Sequence, residues 1–352
     1  MNIHAALHAR EFQWTISTGL TTHLMAISHF VQKKTMEELT GNKGYSKLSL
    51  VFGDYIARLV EQDSAPGELA RHLGVSKQAC SKTIREMEAQ GLVERHPNPL
   101  DSRSSILSLA ANGRQLIADG HAVSTAIYRR FAQYAGEARL QGMADSLAVL
   151  CHEFGVALPA YQPMPSGNDS AAQQASRFNL LLHSLDNHSY RFLISALTDK
   201  GFTGLKSSFS QVLSLIVPDG GRIQHIASVV GVSKQAIAAT ATELEQLGYI
   251  VRDSDPHDRR QIILRLSPLG EQLLFEANTA VQRLETSIRD ILGEVACQEL
   301  EETLAALYFQ VLDHYGSPAS QGTDLQALSQ QLLHQLGVSD ARALAQHLMT
   351  LT

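Results

Sequence analysis

Several things are scarce in this 352-residue chain, and each scarcity excludes something. No run of about 18 apolar residues is present, so no membrane-spanning helix is expected. The opening "MNIHAALHAREFQW" has no basic stretch followed by an apolar one, unlike a secretory signal. There are three cysteines, Cys80, Cys151 and Cys297, too far apart for a disulfide framework or a zinc-ligand spacing. Their scarcity points to a reducing compartment, the cytoplasm. Positive charge is outnumbered: 29 Lys and Arg stand against 35 Asp and Glu, a net charge of -6. That argues against indiscriminate coating of nucleic acid, but a small basic surface is still compatible with it. A P-loop, a dinucleotide fingerprint and a nucleophile elbow are all missing, so the chain does not read as an enzyme. His152-Glu153 is half of a zinc-protease motif, with Val156 where the second histidine would stand. His23 and His29, six apart, are poorly spaced for one metal. Neither a metal nor a cofactor is expected.

What the chain does contain is itself, twice. The hexapeptide GVSKQA occurs at 74–79 and again at 231–236. Adding 157 to positions 74, 91, 103 and 113 leads to 231, 248, 260 and 270, and the register runs without a gap from Leu69 to Gly113. Roughly 19 of about 45 aligned pairs are identical, a duplication of whole domains rather than a solenoid period. Between the copies lies "LPAYQPMPSGNDSAAQQ", with linker composition.

Both copies have the same internal order. "PGELARHLG" places Leu69, Ala70 and Leu73 at helical spacing and stops at Gly74. Ser76 can cap the next helix, "SKQACSKTIREMEAQG", and Gly91 can end it. An inner stripe of Ala79, Thr83, Ile84, Met87 and the stem of Gln90 is expected, with Lys77, Gln78, Ser81, Lys82 and Arg85 outside it. Two helices joined by a short glycine turn make a helix-turn-helix. The following "LVERHPNPLDSRSSILSL" reads as two strands with a turn, a wing. Helices are expected at about 5–36, 111–134 and 138–154, and again at about 173–197, 268–291 and 295–314. Two amphipathic segments follow at about 324–336 and 340–350.

With "ELARHLGVSKQACSKTIREMEAQGLVER" and "NPLDSRSSILSL" in one copy, and "HIASVVGVSKQAIAATATELEQLGYIVR" and "DPHDRRQIILRLSPLG" in the other, the chain resembles the MarR family of winged-helix regulators. The resemblance covers roughly 40–120 and 198–277. It implies a mainly α fold with small β-hairpin wings, in which two winged helix-turn-helix domains share a helical dimer-like interface. It also implies double-stranded DNA as partner, and a small aromatic effector held between the interface helices and the DNA-reading lobe. Both halves lie on one chain, so a monomeric pseudo-dimer is expected. The segments are 1–157 (repeat 1), 158–174 (linker), 175–317 (repeat 2) and 318–352 (a helical extension).

The residues expected to meet DNA are Ser76, Lys77, Gln78, Ser81, Lys82, Arg85 and Arg103 in the first copy. In the second they are Ser233, Lys234, Gln235, Arg259 and Arg260. Asp101 and Asp258 are expected to orient the wing arginines, which suit a narrow minor groove. The halves are unequal. Ser81, Lys82 and Arg85 are replaced by Ala238, Ala239 and Thr242, whereas the second wing has the additional Arg259. An imperfect inverted repeat is therefore expected as the operator. The alternative is a protein-interaction module whose winged helices have lost DNA binding, favoured by the negative charge and the alanine-rich second helix. Cys80 would be a redox switch only if Lys77 or Lys82 lowered its pKa; otherwise it is a small core residue. Phe12, Trp14 and Phe30 read as helix-packing residues, with a part in an effector cavity as the alternative.

Overall fold

The computed structural model describes residues 19–98, 101–158, 170–216, 220–230, 232–254 and 262–314. The described residues through Leu307 form one compact unit, and a second unit begins at Tyr308. Trp14, Phe12 and the two C-terminal segments expected beyond 320 lie outside the described residues.

In the first copy, α1 (Leu20–Gly41) leads to α2 (Phe52–Glu61), α3 (Pro66–His72) and α4 (Lys77–Ala89). The wing is β1 (Val93–Asn98) and β2 (Asp101–Leu109), followed by α5 (Ala111–Ala135) and α6 (Glu137–Glu153). The second copy runs α7 (Ser170–Asp199), α8 (Ser207–Ser214), β3 (Gly221–Arg222), α9 (Ile223–Val230), α10 (Lys234–Gln246), β4 (Ile250–Ser254), β5 (Ile262–Leu266) and α11 (Pro268–His314). The fold is mainly helical with small antiparallel sheets. Helix α7 begins at Ser170, so the last residues of the expected linker, 170–174, belong to it. Helices α2 and α8 and strand β3 are additions to the sequence reading.

The register of 157 extends well beyond the stretch where sequence shows it. Left-handed backbone recurs at Gly44 and Gly201, Gly91 and Gly248, and Gly136 and Gly293. Gly136 separates α5 from α6, and Gly293 breaks α11 at the matching place. In one pair only the first copy departs from glycine: Lys47 has φ +64° where Gly204 has φ +70°. A side chain in that region costs about 1–2 kcal/mol, partly offset by the extra freedom of an unfolded glycine. Lys47→Gly is therefore expected to stabilise the chain by about 0.5 kcal/mol, read as a higher urea midpoint.

Each lobe has its own core. In the first, Phe52, Tyr55 and Leu59 of α2 meet Leu69 of α3, Ile84 and Met87 of α4, and Leu107 of the wing. In the second, Phe209, Val212, Ile226, Ala241, Leu244 and Leu264 occupy matching places. The wings share a register, with Val93 opposite Leu109 and Ile250 opposite Leu266. Ser64 bridges to Leu107 as the first lobe's counterpart of β3, where Gly221 pairs with Leu264.

Between the lobes, α1, α5, α6 and α7 pack together. The Thr21 backbone N–H donates to Glu285 Oε1 at 3.0 Å. The rings of Tyr128 and Phe178 meet edge-on, with centroids 5.6 Å apart. Under the register Thr21 corresponds to Phe178 and Tyr128 to Glu285. These are two versions of one contact, each joining the first helix of one copy to the long helix after the other copy's wing. Such reciprocity defines a two-fold interface. His29 and Asp186, also counterparts, face each other at 4.0 Å where the pseudo-axis passes. Phe30 is buried here, its ring 6.1 Å from that of Phe131.

Candidate nucleic-acid interface

Helices α4 and α10 are built alike at their starts. Ser76 Oγ accepts from the Ala79 N–H at 3.1 Å, and Ser233 Oγ accepts from the Ala236 N–H at 3.1 Å. Each cap satisfies a backbone donor that the first helical turn leaves unpaired. Each serine hydroxyl accepts in its cap and keeps its own proton to donate. Gly91 and Gly248 close the helices: the Leu92 N–H donates to Met87 O at 3.0 Å and the Tyr249 N–H to Leu244 O at 2.9 Å, the six-to-one bond of a Schellman motif.

The buried stripe of α4 is Cys80, Ile84 and Met87. Ala79, expected inside, is exposed. Cys80, Ile84 and Met87 are spaced four and three apart along one face, so the cysteine takes the inner place. Cys80 Sγ lies 3.5 Å from Pro66 O, and burial pushes its thiol pKa up. A thiolate-driven redox switch needs the opposite shift, so Cys80 is a core residue.

Ser76, Lys77, Gln78, Ser81, Lys82 and Arg85 are all exposed, on one outer edge of α4. Lys82 is 75% exposed and lies 3.9 Å from Glu86, a contact too open to hold it. Arg85 Nε donates to Ser81 O at 3.2 Å, which lays the guanidinium along the helix. On α10, Ser233, Lys234 and Gln235 are likewise exposed, and Lys234 Nζ donates to Gln224 Oε1 at 3.0 Å. Ala239 and Thr242 stand where α4 has Lys82 and Arg85, and the Thr242 hydroxyl accepts from Arg252 Nη2 at 2.9 Å. So α4 presents three basic side chains and α10 one.

One pair went unnoticed in the sequence. Arg95 Nε lies 3.0 Å from Glu88 Oε1, and Arg252 Nε lies 3.0 Å from Glu245 Oε2. Both pairs tie the first wing strand to the end of the recognition helix. Their signal was available, since Arg95/Arg252 and Glu88/Glu245 are identical positions of the repeat. Among the wing residues, Asp101 and Arg103 lie on β2, but their side chains are outside the described set. Asp258, Arg259 and Arg260 lie outside it altogether.

A latch joins each lobe to its long helix. Tyr45 Oη donates to Asp119 Oδ2 at 2.8 Å, and Lys43 Nζ lies 3.0 Å from Asp119 Oδ1. Burial and the adjacent carboxylate push the Tyr45 hydroxyl up to about 12, while Tyr45 and Lys43 hold Asp119 below the usual carboxylate range. The second copy keeps the ion pair as Lys200 and Glu276, 3.5 Å apart.

A cavity of about 230 Å³ opens where the helical hub meets the first lobe. Helices α1, α5 and α7 line it, together with Leu50 just before α2. At its polar side Gln32 Nε2 lies 2.7 Å from His183 Nδ1. Asn179 Nδ2 is buried there with no hydrogen-bond partner.

Among the described residues no helix is long and apolar enough to cross a membrane, and no cluster of His, Cys, Asp and Glu suits a metal. The family model described as "MarR family" matches residues 54–104 and 204–261, the two winged lobes. A putative transcriptional regulatory protein for the hcr operon of Thauera aromatica is 31% identical over 108 residues, 30% of this chain and 65% of that protein. The chain thus spans just under two thirds of that relative's length. The HTH-type transcriptional regulator FarR of Neisseria gonorrhoeae is 26% identical over 28% of this chain and 67% of its own. Among solved structures, CouR from Rhodococcus jostii RHA1 bound to p-coumaroyl-CoA is similar at 23% identity, with a TM-score of 0.30, over 37% of this chain and 90% of that one. The two family matches fall on the two winged lobes, each with a serine-capped helix and a hairpin, so the chain carries twice a unit similar to that of the MarR family of winged helix-turn-helix transcriptional regulators.

Proposed function

We propose that this chain is a one-component, ligand-responsive regulator of transcription in the cytoplasm, acting as a monomeric pseudo-dimer on an imperfect inverted repeat in double-stranded DNA. The observation that carries this reading is the reciprocal contact of the hub, Thr21 with Glu285 and Phe178 with Tyr128. It supports one polypeptide doing what two subunits do in a symmetric dimer. Two exposed, serine-capped helix starts then serve two half-sites. The basic edge of α4, with the wing residues Arg103, Arg259 and Arg260, supplies cations for phosphates and the minor groove. The domain division at 158–174 belongs to the same reading. So does the cavity beside the first lobe, as the place where an effector acts.

A salt titration tests DNA binding. Fluorescence anisotropy on a duplex selected by the chain from a random pool should show affinity falling on the order of a thousandfold between 50 and 200 mM salt. Light scattering should find one chain per duplex. If no duplex is enriched at low salt, the DNA-binding reading fails. The single basic residue of α10 would then favour the second reading, a protein-docking module.

A further inference from the structure

We infer that the hub is an interface between unlike halves: the face of each repeat accepts the other repeat and rejects a second copy of itself. This rests on the pseudo-dimer reading above and adds which pairings the chain forbids.

The carboxylates of repeat 2 carry most of the selectivity. Asp186 is buried at the pseudo-axis, and burial raises its pKa. His183 acts on it from its own helix, and repeat 1 supplies two further partners across the seam. The Ser28 hydroxyl hydrogen-bonds its carboxylate, and His29 Nε2 lies 4.0 Å from its Oδ2. Under the register, the counterparts of Ser28 and His29 are Leu185 and Asp186 itself. Repeat 2 against a second repeat 2 would set Asp186 facing a leucine and another buried carboxylate. Two carboxylates sharing one buried place do not both ionise without a large cost.

Glu285 leads to the same result. Burial raises its pKa, and its Oε1 accepts from the Thr21 N–H at 3.0 Å. That donor is available because Thr21 lies in the first turn of α1, where the N-cap Gly19 has no side-chain oxygen to offer. The counterpart Phe178 stands inside α7, where the helix itself uses the N–H. Against a second repeat 2, Glu285 would meet a phenyl ring and no donor, which is unfavourable for a buried charge.

Repeat 1 fails with itself through packing. Phe178 is fully buried and meets Tyr128 edge-on at 5.6 Å and Phe131 at 6.4 Å between centroids. A second repeat 1 would bring Thr21 to that place, removing the ring and leaving a void. Gln32 Nε2, now 2.7 Å from His183 Nδ1, would face Ala26. In a symmetric pair every mismatch off the axis occurs twice. Both like pairings are thus penalised, and selectivity is the difference between them and the unlike one. Every assembled unit then holds one α4 and one α10, and the covalent connection keeps the pairing within one chain through effective concentration.

The test starts from the full chain, with residues 160–166 replaced by a protease recognition site. After cleavage, labelled and unlabelled protein are mixed and taken through mild urea until labelled and unlabelled halves have exchanged. Native mass spectrometry then counts the pairs. More than nine-tenths should join one half of each kind, where indifferent faces would give one half of the pairs. Homotypic pairs near that random share, or halves that separate as single fragments, would overturn the inference. A double-mutant cycle on the uncleaved chain gives a second measurement. His29→Asp should lower the urea midpoint by about 0.5 M or more. Asp186→His should lower it as well, and the two together should recover at least half of the summed loss. Additive losses would count against the pairing, because a merely structural role for each residue predicts them. A chain that binds DNA but forms homotypic pairs freely after cleavage loses this inference alone. A chain that pairs as expected but never binds DNA loses the regulatory reading instead.

Discussion

Replacing Lys77, Lys82 and Arg85 together by alanine is expected to weaken DNA binding at least a hundredfold, whereas Lys234→Ala costs about three- to tenfold. All four side chains are exposed, so little folding energy is at stake and the loss should lie in the complex. Each lost cation removes about 1 kcal/mol or more of charge-assisted contact and the release of about one counterion. Three such losses amount to about 3–4 kcal/mol, and one to about 1. The salt slope should fall by about 2–3 for the triple variant and by about 1 for the single one. Anisotropy titrations at several salt concentrations on one selected duplex measure both quantities. Circular dichroism of each variant checks that α4 and α10 remain folded. Equal losses would remove the argument that the halves read unequal half-sites. Footprinting gives an independent check, because a perfectly symmetric protected site would oppose an imperfect inverted repeat. The physical basis is that identical subunits must keep identical recognition helices, whereas fused copies can change one at a time. Here the change has left Ala238, Ala239 and Thr242 in place of Ser81, Lys82 and Arg85.

Gly270→Ala should destabilise the second lobe by about 3 kcal/mol, and Gly113→Ala the first by a similar amount. A β-carbon on Gly270 would lie 1.9 Å from Tyr249 O, and one on Gly113 would lie 2.1 Å from Leu92 O. The obstacle is backbone in both cases, so no rotamer change relieves it. Each carbonyl is also an acceptor in use: Ser267 N–H donates to Tyr249 O at 3.0 Å, and Ala110 N–H donates to Leu92 O at 3.0 Å. Moving the strand start to admit a methyl group would strain that bond and the helix start beside it. Gly67→Ala is the control, since nothing lies within 4 Å of its β-carbon position. It is expected to be neutral, or to stabilise α3 slightly through helix propensity. Urea unfolding followed by circular dichroism compares the three. A Gly270→Ala chain within about 0.5 kcal/mol of the parent would show that the approach can open cheaply.

The contrast between these glycines and the rest of the repeat shows how legibility was distributed. The serine caps, the glycine stops and the strand alternation were readable because each is satisfied within a few residues of itself. Ser76 needs only the N–H of Ala79. Helices α2 and α8 escaped notice because they are short, 10 and 8 residues, and take their stability from Phe52 or Phe209 entering a core assembled by distant segments. Strand β3 is two residues long and forms only against β5, some forty positions later. In α4 the helix start at Ser76 and the inner places of Ile84 and Met87 were legible, but the residue one turn before Ile84 on the buried face is Cys80 rather than Ala79, since Cys80, Ile84 and Met87 are spaced four and three apart.

From sequence alone, the duplication, its register of 157, the two helix-turn-helix units with their wings and the unequal charge of the recognition helices were all determined, because each follows from residue identity and local spacing. The pairing of Thr21 with Glu285 and of Phe178 with Tyr128, the facing of His29 and Asp186, and the cavity with its unpartnered Asn179 were settled only by folding. Those contacts join residues 50 to 264 positions apart or depend on three helices meeting, and local periodicity has no term for which faces of separate helices come together.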